Sequence, residues 1–147
     1  MEKSVDSFDI LDFIEKRENI EIKEIETYSP LTLAYIGDAV YELIIRTLVV
    51  AKGNKQVNKL HKESSSLVKA STQADMIENI KEILTEDEEV IFKRGRNAKS
   101  FSKAKNATMS EYRQATGFEA LIGYLYLSKK SDRMIEIINY GLDKILK

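Results

Sequence analysis

The 147-residue sequence contains no cysteine and has only one histidine, His61. Without cysteine, the chain can form neither a disulfide nor a thiolate metal site, and it has no cysteine nucleophile. A single histidine also excludes a multi-histidine metal site within one chain. These absences remove several common types of metal centre and covalent catalyst from consideration.

The sequence also lacks a long apolar segment. No apolar run approaches the roughly 20 residues that a membrane-spanning helix requires. The first residues, "MEKSVDSFDI", are too acidic and polar for a signal peptide. We therefore expect a soluble cytoplasmic protein with no membrane partner.

Proline and glycine are scarce, with one proline and six glycines in a chain rich in leucine, isoleucine, lysine and glutamate. This composition favours an all-α fold. A serine followed by Pro30, a capping box from Thr85 to Glu88, and Ser110 indicate three helix starts. With the apolar periodicity, they predict helices over residues 8–17, 30–52, 55–69, 72–84, 86–97, 111–129 and 132–146.

Two predicted helices are apolar around nearly their whole circumference, yet each carries an acid near its middle. These acids are Asp38 in "YIGDAVYELIIR" and Glu119 in "FEALIGYLYL". Glu42 has Arg46 one turn away and is expected to pair with it, which leaves Asp38 without a local base. Glu119 has no lysine or arginine three or four positions away in either direction. Because a buried unpaired carboxylate costs several kcal/mol, each acid needs a partner, hydration or a cation.

A glycine accompanies each acid. Gly37 directly precedes Asp38, and Gly123 lies one turn beyond Glu119, so helices or a ligand can approach closely there. A purely structural interpretation is that a nearby base satisfies each acid. The alternative is that the two carboxylates face each other and hold a hard divalent cation. Mg²⁺ typically takes one or two carboxylates together with water and substrate phosphate.

The net charge of −1 conceals two basic segments. Residues 90–110 contain six basic residues and no acid, and residues 52–72 contain five lysines and one glutamate. Each segment alone is typical of a solvated helix face or loop, but two together also fit a phosphate-binding surface. His61, in the second segment, could contact phosphate or serve packing. The candidate phosphate-binding residues are Arg94, Arg96, Asn97, Lys99, Lys103, Lys105, Lys59 and Lys62.

Several segments resemble one family. "LAYIGDAVYEL" is similar to the signature helix of the ribonuclease III endonuclease domain, and "FEALIGYLYL" to that family's second acidic motif. "RGRNAKS" and "YRQATGFEALIGYLYL", with no double-stranded RNA-binding domain following, resemble its small bacterial branch, Mini-ribonuclease III. The resemblance covers residues 29–147, the expected catalytic domain. Residues 1–28 are then an N-terminal extension with a short amphipathic helix.

The resemblance implies an all-α homodimer that cleaves double-stranded RNA with Mg²⁺, in which Asp38 and Glu119 are the metal-binding catalytic pair. In the small branch, it implies maturation of large-subunit precursor ribosomal RNA. The alternatives are a catalytically silent double-stranded RNA-binding dimer on the same fold and a helical protein–protein adaptor. Larger family members have two further acids, at the positions of Ala34 and Thr116 here. The number of metal ions per site is therefore left open.

Overall fold

The computed structural model describes residues 10–99 and 108–146, and this part of the chain is helical without any strand. The all-α prediction is confirmed. Two short 3₁₀ turns lie at Ile25–Thr27 and Lys81–Ile83. The helices are α1 (Ile10–Glu18), α2 (Pro30–Ala51), α3 (Val57–Val68), α4 (Ala70–Ile80), α5 (Glu86–Asn97), α6 (Met109–Leu127) and α7 (Ser131–Ile145).

Two of the predicted helix starts are correct. The Ser29 hydroxyl accepts hydrogen bonds from the backbone amides of Leu31 and Thr32, with Pro30 in the first turn. Thr85 and Glu88 form the expected reciprocal capping box at the start of α5. Each of these N-caps accepts hydrogen bonds from backbone N–H groups that have no partner inside the helix.

The start of α6 was predicted incorrectly. The helix begins at Met109 and is capped by Thr108 rather than by Ser110. The Thr108 hydroxyl accepts from the Glu111 amide, and the Glu111 carboxylate accepts from the Thr108 amide. Ser110 has an arginine three positions later and cannot form this reciprocal box.

Helix α6 is the centre of the fold. It packs against α2, α4 and α5, and its contact with α2 is the most extensive between any two described helices. Helix α7 closes the core over α4 and α6, and α3 packs on α2. Burial of α6 nearly all round agrees with the sequence prediction. None of the helices in the described ranges is long and apolar enough to cross a membrane.

Glycine permits the close contact between α2 and α6. A Cβ atom on Gly123 would lie 2.0 Å from the carbonyl oxygen of Leu33, and one on Gly37 would meet the backbone of α6 equally closely. Real Cβ atoms do not approach other atoms to such distances. The two helices therefore cross backbone to backbone at the level of the two acids, as the glycine positions predicted.

Candidate active site

The crossing of α2 and α6 brings the two predicted acids together. The side chains of Asp38, from α2, and Glu119, from α6, face the same cleft and lie close enough for their carboxyl groups to interact. They lie in a cleft of ≈ 410 Å³. Its lining consists of Leu31, Ala34, Tyr35, Ile36, Asp38, Ala39, Tyr112, Thr116 and Glu119.

The two acids differ in burial. The sequence led us to expect both side chains inside apolar helices, but Asp38 is exposed in the chain and Glu119 is half-buried. Gly37 occupies the position of α2 that faces α6, so the next residue, one hundred degrees further round, points to the mouth of the cleft. The expectation of burial was thus wrong for Asp38.

The surroundings of Glu119 disfavour its charged form. Burial, and then the negative charge of Asp38, raise the pKa of Glu119 to about 8, whereas a hydrogen bond from Gln73 acts in the opposite direction. No basic side chain of the described residues contributes to this shift. Among the residues that the structure describes, Glu119 therefore shares the cleft with another acid and with no basic side chain.

Gln73 is a site residue that our reasoning from the sequence missed. It lies on α4, is buried, and its Nε2 donates to Glu119 Oε2 at 3.2 Å. The available signal was a polar residue on the apolar face that Met76, Ile77 and Ile80 define. Nothing in the local sequence, however, indicates that this face meets Glu119.

The donor set suits a hard cation. The residues that the structure describes contain no cluster of three or more aspartate, glutamate, histidine or cysteine side chains that could hold a metal. Two carboxyl groups in contact, in an open cleft without a neighbouring base, nevertheless match the one or two protein carboxylates that Mg²⁺ commonly takes. Ala34 and Thr116, whose positions the sequence analysis singled out, both line the same cleft.

The predicted RNA-binding residues differ in how exposed their side chains are and in what these side chains contact. Lys59, Lys62 and Lys99 are exposed, as is Asn97, whose side-chain oxygen accepts from Arg96 at 3.1 Å. The Arg96 guanidinium also lies 5.6 Å from the centre of the Phe92 ring. Lys103 and Lys105 lie outside the described residues.

Arg94 has a tertiary role. Its guanidinium donates to the carbonyl oxygens of Glu26, at 2.9 Å, and Tyr28, at 3.1 Å. These bonds tie α5 to the segment that leads into α2. His61 is exposed and borders a small apolar pocket between α2 and α3.

Comparison with known proteins agrees with this geometry. Residues 31–130 match the Ribonuclease III domain family. A Mini-ribonuclease 3 from Thermoanaerobacter sp. is 45% identical over 99% of both chains. A Mini-ribonuclease 3 from Clostridium tetani is 50% identical over 79% of this chain and 78% of its own length.

A solved structure is also similar. An X-ray crystal structure of a Fusobacterium nucleatum protein superposes with a TM-score of 0.74 at 36% sequence identity, covering 84% of this chain and 98% of the other. The match to the domain family spans most of the chain, and both acids of the cleft lie within it. The chain therefore belongs to the ribonuclease III family and, within it, to the Mini-ribonuclease 3 group of endoribonucleases.

Proposed function

We propose that this endoribonuclease cleaves double-stranded RNA in a Mg²⁺-dependent reaction at the cleft between α2 and α6. The observation that carries the proposal is the contact between Asp38 and Glu119 in an open cleft, with no base among the groups that shift the Glu119 pKa. Such a pair binds a divalent cation more readily than it remains doubly ionised alone. The known activity of the family gives the reaction class.

In this proposal, Asp38 and Glu119 hold Mg²⁺ through their carboxylate oxygens. When bound, Mg²⁺ supplies a nucleophile from water at neutral pH and stabilises charge on the leaving 3′-oxygen of a backbone phosphate. Glu119 must give up its carboxyl proton before it can ligate the cation. The family resemblance implies products with a 5′-phosphate and a 3′-hydroxyl.

Exposed basic side chains would position the RNA. Lys59 and Lys62 on α3, and Lys99 after α5, are accessible to phosphates. We also propose Arg96, Asn97, Lys103 and Lys105 as RNA-contacting residues. Because duplex RNA is recognised mainly through its shape, phosphates and 2′-hydroxyls, positively charged side chains suffice for this role.

We also propose a homodimer. An apolar face, defined here as Ala39, Val40, Leu43 and Ile44 of α2 with Ile135 of α7, leaves large side chains in solvent. Leu43 is 58% exposed in the single chain. Ala39 borders both this face and the acid cleft, so a second copy docked on the face would stand beside the active site.

The proposed substrate in the cell is precursor ribosomal RNA, with cleavage serving large-subunit maturation. This assignment rests on the resemblance to the small bacterial branch. Since bacterial ribosomal RNA is processed where it is transcribed, the proposal also places the enzyme in the cytoplasm.

The decisive experiment combines substrate, metal and site variants. Purified enzyme is incubated with duplex RNA, with and without Mg²⁺, and the new ends are sequenced. Asp38→Asn and Glu119→Gln should each abolish cleavage while circular dichroism stays unchanged, because both substitutions keep shape and remove charge. Glu42→Gln is the matched control, since Glu42 lies on the same helix but pairs with Arg46 at 2.7 Å.

We expect Glu42→Gln to cleave like the wild type. Cleavage of duplex RNA by Asp38→Asn at the wild-type rate would contradict the site assignment. Tight duplex binding by the wild type without any Mg²⁺-dependent cleavage would instead favour the catalytically silent dimer.

A further inference from the structure

Gln73 connects the junction between α3 and α4 to the acid pair. Its side chain is almost fully buried, with 2% exposed. Its Nε2 donates to the backbone carbonyl oxygen of Val68 at 2.8 Å as well as to Glu119 Oε2 at 3.2 Å. Both hydrogens of the amide nitrogen are therefore used, one on the main chain and one on Glu119.

The orientation of the Gln73 amide follows from this arrangement. A backbone carbonyl can only accept hydrogen bonds, so the amide nitrogen, rather than the amide oxygen, must face Val68. The same nitrogen then carries the second hydrogen to Glu119. The main chain thus holds Gln73 as a fixed donor toward one particular oxygen of the Glu119 carboxyl group.

The amide oxygen of Gln73 indicates that a glutamine at this position is not the most stabilising choice. Oε1 of Gln73 is buried and has no hydrogen-bond partner within residues 10–99 and 108–146. A buried polar atom without a partner is destabilising, and an apolar side chain of the same length would avoid it. The amide therefore has a purpose besides filling the core, and its contact with Glu119 identifies that purpose.

We propose that Gln73 is a positioning residue that holds the Glu119 carboxyl group in the orientation that faces Asp38 and the cleft. This inference rests on the proposed function, since it assigns Gln73 a part in cation binding by that pair. Side chains that ligate metals are commonly held by a hydrogen bond from a neighbour, and losing that neighbour weakens metal binding about 10–100-fold. Without Gln73, the cation must order Glu119 when it binds.

Gln73→Met tests the proposal. Methionine is unbranched and of similar length, so it fills the site but donates no hydrogen bond. We expect the Mg²⁺ concentration for half-maximal cleavage to rise about tenfold or more, whereas the rate at saturating Mg²⁺ falls less than threefold. The binding constant for Mg²⁺, measured by calorimetry on enzyme preloaded with a non-cleavable duplex, should weaken by a similar factor.

Thr72→Val is the matched control. Thr72 is the neighbouring buried polar residue on α4, and its hydroxyl donates to the carbonyl oxygen of Ser66 at 2.6 Å. Thr72→Val removes one buried hydrogen bond to the main chain, whereas Gln73→Met removes one such bond and also the bond to Glu119. A general loosening of α4 would shift the Mg²⁺ requirement in both variants, whereas a positioning role shifts it only in Gln73→Met.

Gln73→Asn decides the question if the methionine variant does not fold. Asparagine keeps a buried amide but is one methylene shorter, so it cannot reach Val68 and Glu119 together. We expect the same rise in the Mg²⁺ requirement. An unchanged Mg²⁺ requirement in a folded Gln73 variant, or an equal rise in Thr72→Val, would overturn the inference while leaving the proposed function intact. Absence of Mg²⁺-dependent cleavage by the wild type would overturn the proposed function itself.

Discussion

A Cβ atom on Gly37 would lie 1.8 Å from the carbonyl oxygen of Glu119, so the main chain of α2 rests directly on that of α6 at the active site. The second-closest atom, the amide nitrogen of Gly123, is 2.7 Å away and is also backbone. Neither atom can move aside without shifting a whole helix. The distance between the two acids is therefore set by the helix crossing itself.

Gly37→Ala should consequently separate α2 from α6. Overpacking of a core usually costs about 1–3 kcal/mol, and a clash with backbone belongs at the upper end of that range or beyond it. We expect a large fall in Tm together with loss of cleavage. Thermal unfolding followed by circular dichroism measures the first effect, and a duplex cleavage assay measures the second.

Gly141→Ala is the control for this substitution. A Cβ atom there would meet Met76 Cε at 2.8 Å, and the end of a methionine side chain can move. The Tm should fall much less than in Gly37→Ala. Equal losses in the two variants would show that helical glycine in general, rather than the backbone contact, explains the effect.

The raised pKa of Glu119 predicts how stability depends on pH in the absence of metal. Burial and the charge of Asp38 raise the pKa of this carboxyl group to about 8 in the folded chain, whereas in the unfolded chain it has the ordinary glutamate value of about 4.5. Between these values the folded state binds more protons, so its stability falls as pH rises. Glu119→Gln removes this pH-dependent loss of stability. In EDTA, the Tm of Glu119→Gln should therefore exceed the wild-type Tm, and the difference should grow from about pH 5 to about pH 8.

One pKa unit corresponds to about 1.4 kcal/mol, so the advantage of Glu119→Gln should exceed about 1 kcal/mol at the alkaline end of this range. Asp38→Asn removes one cause of the shift and should give a smaller advantage in the same direction. A constant difference in Tm between wild type and Glu119→Gln across the range would contradict the raised pKa.

The basic residues should separate into two groups. Lys99→Ala and Lys62→Ala should weaken duplex binding, and each should lower the slope of log K against log salt by about one unit if the side chain contacts a phosphate. Their Tm values should match the wild type because both side chains are exposed. Filter-binding or fluorescence titrations at several salt concentrations provide the measurement.

Arg94→Ala should instead reduce stability, because it leaves the carbonyl oxygens of Glu26 and Tyr28 without their donor. A loss of about 1–3 kcal/mol is expected for bonds made by a charged group. An unchanged Tm together with a lower slope of log K against log salt would show that Arg94 contacts RNA rather than stabilising the fold.

The position of Thr116 predicts that an additional metal ligand can be introduced. Thr116 borders the acid cleft, and its hydroxyl donates to the Tyr112 carbonyl at 3.0 Å. Because the charge of the ligands tunes the affinity for hard cations, Thr116→Asp should lower the Mg²⁺ concentration required for half-maximal cleavage. Thr116→Asn has nearly the same shape without the charge and should not lower it. A lower requirement in both variants would argue against direct ligation.

The apolar face predicts the oligomeric state. Leu43→Glu and Ile135→Glu place a charge on that face and should convert the proposed dimer to a monomer in analytical ultracentrifugation. Val90→Glu is the control, because Val90 is equally exposed but lies on α5 and outside the face. A dimer that persists in both face variants would require another interface.

Several local interactions could be predicted from the sequence, although the Thr108–Glu111 capping box was missed. Thr85 and Glu88 of the capping box are three positions apart, and Glu42 and Arg46 of the ion pair are four positions apart; both interactions are present as expected. Asp38 and Glu119 could be paired because neither has a local base and both lie in recognisable family motifs. The proximity of the two acids also follows from Gly37 and Gly123, which mark the helix crossing.

Contacts between distant segments could not be predicted in this way. Gln73 and Glu119 are 46 residues apart, and Arg94 and Glu26 are 68 apart. Hydrophobic periodicity gives the buried face of a helix but not the helix that covers it. For the same reason the exposure of Asp38 was missed, since it depends on the angle at which α6 crosses α2.

The contact between Gly37 and Glu119 also affects which parts of the protein can unfold locally. Proteins unfold locally in units whose free energies range from near zero to that of global unfolding. The acid pair lies at the most extensive helix contact of the described chain, so hydrogen exchange of the amides around it should report global unfolding. Helix α1, whose only buried residue is Leu11, can open and close without separating Asp38 from Glu119.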